Sequence, residues 1–247
     1  MRIGFIGTGT IARAMVTGIA YDGHAITVSN RGAAHAAHLA NTFDAVTIAP
    51  NQTVLDQSDV IFLGLMAETA PDVLKTLRFR ADHRVISVMA GATLDALAPH
   101  VAPATLDAIM IPFPNIAHGG SPILVRGDTA LVNALFGARN TLFDLQTDAE
   151  LCAYLSAQAV LSPAVKMVSD AAHWLGDQTQ DATKAEEFLR TLIASSLRTT
   201  PCATLLAALD TPGGYNQRLR DHMTKRGQTT ALIDGLNALK TDPHDRA

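Results

Sequence analysis

The sequence predicts an α/β fold, in which a doubly wound parallel sheet is followed by an all-α, helical region. Two observations lead to this prediction. Short apolar runs alternate with helical patterns along roughly the first 90 residues, which is typical of a parallel sheet with crossover helices. After about Asp148 only helical patterns with large apolar faces remain. We therefore expect two domains, residues 1–147 and residues 148–247.

The expected elements follow in chain order. Buried strands are predicted at residues 2–6, 25–28, 45–48, 60–65 and 85–89, with shorter ones at 109–111 and 123–125. Helices are predicted between the early strands at residues 11–20, 33–41, 53–57 and 70–77. The second region should hold helices at 151–175, 184–198, 202–209, 217–226 and 229–239, and the tail from Thr241 should be disordered.

Composition narrows the class of protein. Only 17% of the 247 residues are charged while 48% are hydrophobic, so we expect a partner subunit, in a homodimer or larger homo-oligomer, to cover part of the apolar surface. No uninterrupted apolar run reaches the ~18 residues of a membrane span, and no signal peptide is recognisable, which predicts a cytoplasmic protein. A net charge of −4 and 5% aromatic residues argue against a nucleic-acid partner. Two cysteines, Cys152 and Cys202, predict neither a disulfide framework nor a metal site.

A glycine motif follows the first predicted strand. Gly7, Gly9 and Ala12 form GxGxxA where the strand ends and the first helix begins. This context allows a tight turn, a close backbone approach to a pyrophosphate, and free amides at the helix start. The pattern predicts a dinucleotide site, and we expect the turn to contact the cofactor through Gly7, Thr8, Gly9, Thr10 and Ile11.

The end of the second strand indicates which dinucleotide binds. An NAD-selective fold places an acidic residue there to hold the ribose hydroxyls, whereas this chain has Ser29, Asn30 and Arg31. A guanidinium can fork onto a 2′-phosphate while the two polar neighbours donate hydrogen bonds to it. The sequence therefore favours NADP(H), with a solvated surface arginine as the simpler interpretation.

Several segments together resemble those of the pyrroline-5-carboxylate reductases. They are, in order, GFIGTGTIARAMVTG, SNR, NQTVLDQSDVIFLGL, VISVMAGATLDAL and TPGGYNQRL. The resemblance implies a Rossmann domain followed by a helical domain through which two subunits intertwine. It also implies NAD(P)H-dependent reduction of a cyclic imine, 1-pyrroline-5-carboxylate, to proline.

The resemblance places further residues near the cofactor. It implies that Asn51 lies beside the adenosine half, that Ala90 and Gly91 lie near the nicotinamide, and that Asn115 borders the reactive ring. Ligands bind at the carboxyl ends of strands in such sheets, which independently supports Ala90, Gly91 and Leu65. Met66 and Ala67 stand where the family has Lys-Pro.

Other positions depart from the family pattern. Ile111 replaces an arginine, the family's glycine-serine loop SGSGPA appears as AVLSPA at residues 159–164, and Asn216 replaces the threonine beside the imine. Each lost donor to a buried anion costs on the order of 1–3 kcal/mol. We therefore expect weak binding of pyrroline carboxylate and leave the substrate open to a related imine.

Three interpretations of the catalytic groups remain. Tyr215 and Asn216, after the Gly-Gly pair, are candidates to hydrogen-bond or protonate an imine, although Tyr215 equally fits packing between subunits. The run from Ser162 to Asp170 is also similar to the interdomain helix of β-hydroxyacid dehydrogenases, so Lys166 is a candidate for carbonyl chemistry, with an ion pair to Asp170 as the simpler interpretation. A non-catalytic NADPH-binding protein is the third. His118 and His173 are weaker candidates, better explained as a loop residue and a packing residue.

Overall fold

The computed structural model describes residues 1–179 and 181–241, which divide into two units, Met1–Tyr154 and Leu155–Thr241. The tail beyond Thr241, for which disorder is expected, lies outside the described residues.

The first unit is built on one eight-stranded sheet. Its strands are β1 (Arg2–Ile6), β2 (Ala25–Ser29), β3 (Val46–Ala49), β4 (Val60–Leu63), β5 (Arg84–Ser87), β6 (Thr105–Pro112), β7 (Pro122–Gly127) and β8 (Thr141–Leu145). The strand order is β3-β2-β1-β4-β5-β6-β7-β8, and every neighbouring pair is parallel except β6 with β7. The chain reverses its direction of winding between β1 and β4, which is the switch point where such sheets bind ligands.

Helices connect the strands of this unit. They are α1 (Thr10–Ile19), α2 (Ala33–Thr42), α3 (Asn51–Asp56), α4 (Ala70–Leu74), α5 (Leu94–Val101) and α6 (Ala130–Val132), which continues as a π-helix over Asn133–Gly137. A short 3₁₀ helix, Pro114–Ala117, follows β6. The predicted α/β class and doubly wound sheet are confirmed, whereas β8, α5 and the 130–137 helix are not among the predicted elements.

Successive side chains of the central strands point to opposite faces of the sheet, and apolar side chains form a core on each face. Phe5 and Phe62 point to one side, where their rings stack with centroids 4.9 Å apart, while Ile6 and Leu63 point to the other. All four side chains are buried. Strands buried on both faces read as continuous apolar runs, which is why β1 and β4 are recognisable from sequence.

The second unit is helical. Its elements are α7 (Asp148–Ala157), which begins in the first unit, a 3₁₀ turn (Gln158–Val160), α8 (Leu161–Asp177), α9 (Ala182–Thr199), α10 (Cys202–Ala208), α11 (Tyr215–Lys225) and α12 (Gln228–Thr241). The helical second region expected from the sequence is confirmed. Many large apolar side chains on these helices are exposed, among them Trp174 and Phe188 at 66% and 56%.

One helical stretch is long and apolar enough to cross a membrane by length and composition alone. It covers Asp148–Asp177, with a mean hydropathy of 1.3 over its best 18-residue window, of which 11% is buried. The search for an uninterrupted apolar run does not detect this helix, because polar residues such as Ser162 and Lys166 interrupt it. The lack of such a run therefore does not exclude a helix of membrane-spanning length.

Candidate functional site

The glycine turn after β1 is held by buried hydrogen bonds. Gly7 has φ of 94°, and a Cβ there would collide with the carbonyl oxygen of Gly64, so only glycine fits. Its amide donates to Ser29 Oγ at 2.9 Å, and Thr8 Oγ1 donates to the Ser29 carbonyl at 2.8 Å. The turn is therefore fixed against the end of β2 before any ligand binds.

Gly9 leaves open space at the start of α1. A Cβ added there would meet no heavy atom within 4 Å, and α1 has neither a side-chain cap nor an acidic residue in its first turn. The first amides of the helix are thus free to bind an anion, and the helix dipole favours negative charge at this end. This is the environment that a pyrophosphate needs.

A cleft of about 240 Å³ opens beside this turn. It is lined by Gly7, Thr8, Gly9, Arg31, Gly32, His35, Gly64, Leu65 and Met66. Six of the cofactor residues expected from the sequence thus lie around one opening: Gly7, Thr8, Gly9, Arg31, Leu65 and Met66. Thr10, Ile11 and Asn30 adjoin it along the chain without lining it.

Ser29 has a different position from the one expected. Its side chain is fully buried, and its hydroxyl accepts the Gly7 amide hydrogen and lies 3.2 Å from Thr8 Oγ1. Because this hydroxyl is buried and bonded within the turn, it does not contact a 2′-phosphate. Ser29 instead stabilises the glycine turn. Arg31 and Asn30 are exposed.

Asn51 holds an unpaired polar atom. It is the first residue of α3, and its Oδ1 is buried with no hydrogen-bond partner in the structure. A buried acceptor without a donor destabilises the folded protein, and a ligand hydroxyl or amine that donates a hydrogen bond to it would remove this penalty. Together with the open space at Gly9 and the cation at Arg31, this atom shows that the residues present fit a dinucleotide.

The carboxyl ends of β4, β5 and β6 lie along the same edge of the sheet. Leu65 and Met66 follow β4, Ala90 and Gly91 follow β5, and Asn115 lies in the 3₁₀ helix after β6. Met66 is 68% exposed. Asn115 Nδ2 donates to the Gly119 carbonyl at 2.9 Å and so holds the loop that contains His118, which is exposed.

The candidate catalytic residues Tyr215 and Asn216 begin α11 in the second unit. Tyr215 is 90% exposed, and the Pro-Gly-Gly turn before it is held by side chains of its own helix. Gly213 donates its amide hydrogen to Gln217 Oε1 at 2.8 Å, and Asp210 accepts from both Gln217 and Arg220. The turn is ordered, and the tyrosine ring is left free of protein contacts that would bury it.

Lys166 is engaged by the partner that its spacing predicts. Its Nζ lies 2.6 Å from both carboxylate oxygens of Asp170, and both side chains are exposed. His173 Nδ1 lies 2.7 Å from the Ser169 carbonyl oxygen on the same helix. These contacts are those of a solvated helix face, and Lys166 must break its ion pair before it can act as an acid.

A groove in the second unit is apolar and measures about 780 Å³. Its walls come from the start of α8, including Pro163 and Ala164, and from α12, including Leu232 and Leu236. Among residues 1–179 and 181–241 no group of three or more His, Cys, Asp or Glu side chains is placed to hold a metal ion.

Sequence reasoning missed three residues of the cleft. Gly32 has φ of 86°, and a Cβ there would collide with the Thr8 carbonyl. Gly64 packs against Gly7, and His35 lines the cleft one helical turn after Arg31. The spacing between Arg31 and His35 is a usable signal, whereas the contact between Gly64 and Gly7 depends on the pairing of β1 with β4.

Residues 2–91 match a family model described as NADP oxidoreductase, coenzyme F420-dependent. No curated protein matches the chain in sequence.

Solved structures resemble the chain over its whole length. A 1-pyrroline-5-carboxylate reductase from Streptococcus pyogenes matches with a TM-score of 0.83 at 21% identity, covering 100% of this chain and 98% of that one. A pyrroline carboxylate reductase from Plasmodium falciparum with NADP bound gives a TM-score of 0.79 at 13% identity, covering 100% and 97%. A reductive aminase from Aspergillus terreus in complex with NADPH and ethyl levulinate gives 0.60 at 21% identity, covering 97% and 90%. The family resemblance in sequence is thereby confirmed at the level of the fold.

Proposed function

We propose that the protein is an NADPH-dependent reductase of carbon–nitrogen double bonds. The observation that carries the proposal is the cleft at the switch point, where the open space at Gly9, the start of α1 and Arg31 together fit a phosphorylated dinucleotide. Structures with the same fold include reductases of pyrroline carboxylate and a reductive aminase, some of them with NADP or NADPH bound. These likenesses support an imine as the substrate.

The cofactor would be held by residues of the first unit. The pyrophosphate would receive amide hydrogen bonds at Gly9, Thr10 and Ile11, and Asn51 Oδ1 would accept from the adenosine half. Arg31 would pair with the 2′-phosphate, with Asn30 beside it. Leu65, Met66, Ala90, Gly91 and Asn115 would border the remainder of the cofactor along the strand ends.

Bound NADPH would supply a hydride to the carbon of the double bond. The overall change is imine plus NADPH plus one proton giving amine plus NADP⁺, so the protein must admit one proton to nitrogen. The exposed hydroxyl of Tyr215 is the proposed donor, with the side chain of Asn216 as a hydrogen-bond partner of the substrate.

Loss of Arg31 tests the cofactor assignment. Arg31→Ala should raise the Kd for NADPH by ~10–100-fold, because a hydrogen bond to a charged group contributes about 1.5–3 kcal/mol, and should leave the Kd for NADH almost unchanged. Arg78→Ala, which removes an exposed arginine outside the cleft, is the matched control. Calorimetric titration of both nucleotides measures the effect, and equal binding of NADH and NADPH by the unmodified protein would contradict the assignment.

Two other functions remain distinguishable by experiment. In the hydroxyacid dehydrogenase interpretation, Lys166 acts on a carbonyl or hydroxyl, so Lys166→Ala should abolish turnover. In the imine reductase that we propose, the same change should leave turnover within about threefold, because Lys166 is paired with Asp170 on a solvated face. A chain that binds NADPH but oxidises it with neither imines, carbonyls nor hydroxyacids would be the non-catalytic binding protein.

The assembly and location are part of the proposal. Exposed apolar side chains of the second unit support a homodimer or larger homo-oligomer formed through these helices. The division of roles between residues 1–147 for the cofactor and residues 148–247 for substrate and dimerisation belongs to the same proposal. A cytoplasmic location stays a prediction from the sequence. A part in proline biosynthesis stays an implication of the family resemblance, which the matched substrates below test.

A further inference from the structure

We propose that the substrate is an imine that carries no carboxylate group. The inference rests on the proposed function and adds the substrate class: a neutral imine, or its protonated cation, with apolar substituents. The charges and hydrogen-bonding groups of the first unit along the carboxyl ends of β4, β5 and β6 support this substrate class.

The segments that follow these three strands contain no lysine or arginine. They are residues 64–69, 88–93 and 112–118, and their ionisable side chains are Glu68 and His118, both exposed. A carboxylate that leaves water needs a cation or several hydrogen-bond donors to replace its hydration. The fixed charge that this edge does carry, on Glu68, is negative and opposes an anionic substrate.

Several cations of the first unit are paired with carboxylates or lie at the glycine turn. Lys75 pairs with Asp72 at 2.6 Å, and Arg84 pairs with Asp107 at 2.6 Å on the amino side of β5. Arg139 pairs with Asp22 at 2.5 Å. Arg31 lies beside the glycine turn, where a cofactor phosphate would take its charge. None of these four cations lies in residues 64–69, 88–93 or 112–118.

The polar groups at this edge are suited to a donor on the substrate. One N–H of Asn115 is used to hold the Gly119 carbonyl, and its Oδ1 has no donor among residues 1–179 and 181–241. An amide oxygen and the Glu68 carboxylate both accept hydrogen bonds, which matches the N–H of a protonated imine and does not match a carboxylate.

Most of the remaining side chains at the edge are apolar. They include Leu65, Met66, Ala67, Ala90, Ala92 and Phe113. Met66 is 68% exposed, so its thioether side chain is available to contact a ligand. The surface thus favours hydrocarbon around the double bond, and a carboxylate there would lose its water with no cation of these three segments to replace it.

A matched pair of substrates tests the inference. NADPH oxidation is measured with 1-pyrroline and with 1-pyrroline-5-carboxylate, which differ only in the carboxylate. We expect kcat/KM for 1-pyrroline to be at least tenfold higher at saturating NADPH. A preference for the carboxylate would overturn the inference and would leave imine reduction itself intact.

A binding measurement separates this inference from the proposed function. Pyrrolidine and proline, the corresponding amines, are titrated into the protein saturated with NADP⁺. Tighter binding of pyrrolidine supports the inference even if no imine is reduced, an outcome that would remove the proposed function alone. Tighter binding of proline overturns the inference whether or not the protein is catalytic.

Adding a cation at the edge should reverse part of the preference. Met66→Lys should raise the ratio of kcat/KM for the carboxylate substrate over 1-pyrroline by about tenfold, because the new ammonium pairs with the carboxylate. Ala134→Lys adds the same charge at an exposed position on the 133–137 helix and should leave the ratio unchanged. An unchanged ratio in Met66→Lys would show that missing positive charge at this edge does not set the preference.

Discussion

At the residue scale, the same added methyl group should lower NADPH affinity at one glycine of the turn and lower protein stability at another. Gly9→Ala should lower NADPH affinity by more than tenfold with little change in Tm, because the added Cβ enters open space that the pyrophosphate needs. Gly7→Ala should destabilise the protein itself, since φ is 94° and the Cβ would meet the Gly64 carbonyl.

Thermal unfolding with and without NADPH measures both variants. The Gly9→Ala protein should unfold at about the temperature of the unmodified protein and lose most of its stabilisation by NADPH. Full NADPH affinity in Gly9→Ala would place the pyrophosphate elsewhere, and an unchanged Tm in Gly7→Ala would mean that the turn relaxes.

The buried imidazole of His83 should make stability depend on pH. Its Nδ1 accepts the Arg80 amide hydrogen at 3.1 Å, so its Nε2 donates to the Leu55 carbonyl at 3.1 Å and the ring is neutral. Burial, with the nearby charge of Arg80, lowers the pKa of His83 in the folded state. The unfolded chain therefore binds the extra proton first, and stability should fall progressively as pH drops below about 6.5, the pKa of the imidazole in the unfolded chain.

An asparagine variant isolates this contribution. His83→Asn keeps an acceptor near the Arg80 amide and cannot be protonated. It should flatten the fall in Tm below pH 6.5 and lower the free energy of unfolding by about 1 kcal/mol at neutral pH. The pKa of His24 is also lowered by burial, so its contribution to the pH dependence of Tm should remain. His100→Asn, at an exposed position on α5, is the control, and an identical slope in His83→Asn would assign the acid sensitivity elsewhere.

The positions of single residues along the chain could be predicted from sequence where a local motif fixes them. The positions of Gly7, Gly9 and Arg31 follow from a local motif. The direction of the Ser29 side chain does not, because it depends on an amide that lies 22 residues away along the chain. The buried Oδ1 of Asn51 is likewise a property of packing, and only the structure shows it.

At the element scale, sequence patterns identified the strands buried on both faces and missed the elements with mixed character. β8 has a mostly exposed pattern, Thr141–Leu145, at the edge of the sheet, so it lacks the apolar run of a central strand. α5 contains Pro99, which argues against a helix in sequence, although Thr93 caps its start by accepting from the Ala96 amide.

The turn before α11 should depend on a side-chain relay within its own helix. Arg220 and Gln217 both donate to Asp210, and Gln217 in turn accepts the Gly213 amide hydrogen. Arg220→Met should release Asp210 and increase hydrogen exchange across residues 211–216 by several-fold, because the last link of the relay loosens. Arg218→Met, on the same helix and exposed, is the control.

Kinetics would show whether the relay also positions Tyr215. If Tyr215 donates the proton, Arg220→Met should lower kcat more than it raises KM, and Arg220→Lys should restore part of kcat by keeping a donor to Asp210. Unchanged exchange across residues 211–216 would show that Gly-Gly backbone geometry alone holds the turn.

At the scale of the whole molecule, the apolar residues are distributed differently between the two units. The first unit buries its apolar residues on both faces of the sheet. The helices of the second unit leave Trp174, Phe188 and Leu197 more than half exposed. Large exposed apolar surfaces are rare in soluble monomers, and this surface supports the homo-oligomer proposed above.

Charges placed on that surface should dissociate the assembly. Phe188→Glu combined with Leu192→Glu puts two carboxylates on the apolar face of α9, where an interface would have to desolvate them. Sedimentation at micromolar concentration should give a dimer or larger assembly for the unmodified protein and a monomer for the double variant. Ala194→Glu, on the polar face formed with Glu187 and Arg190, should leave the assembly intact. Because the proposed cofactor residues lie in the first unit, the double variant should still bind NADPH, and an unmodified protein that sediments as a monomer would refute the assembly.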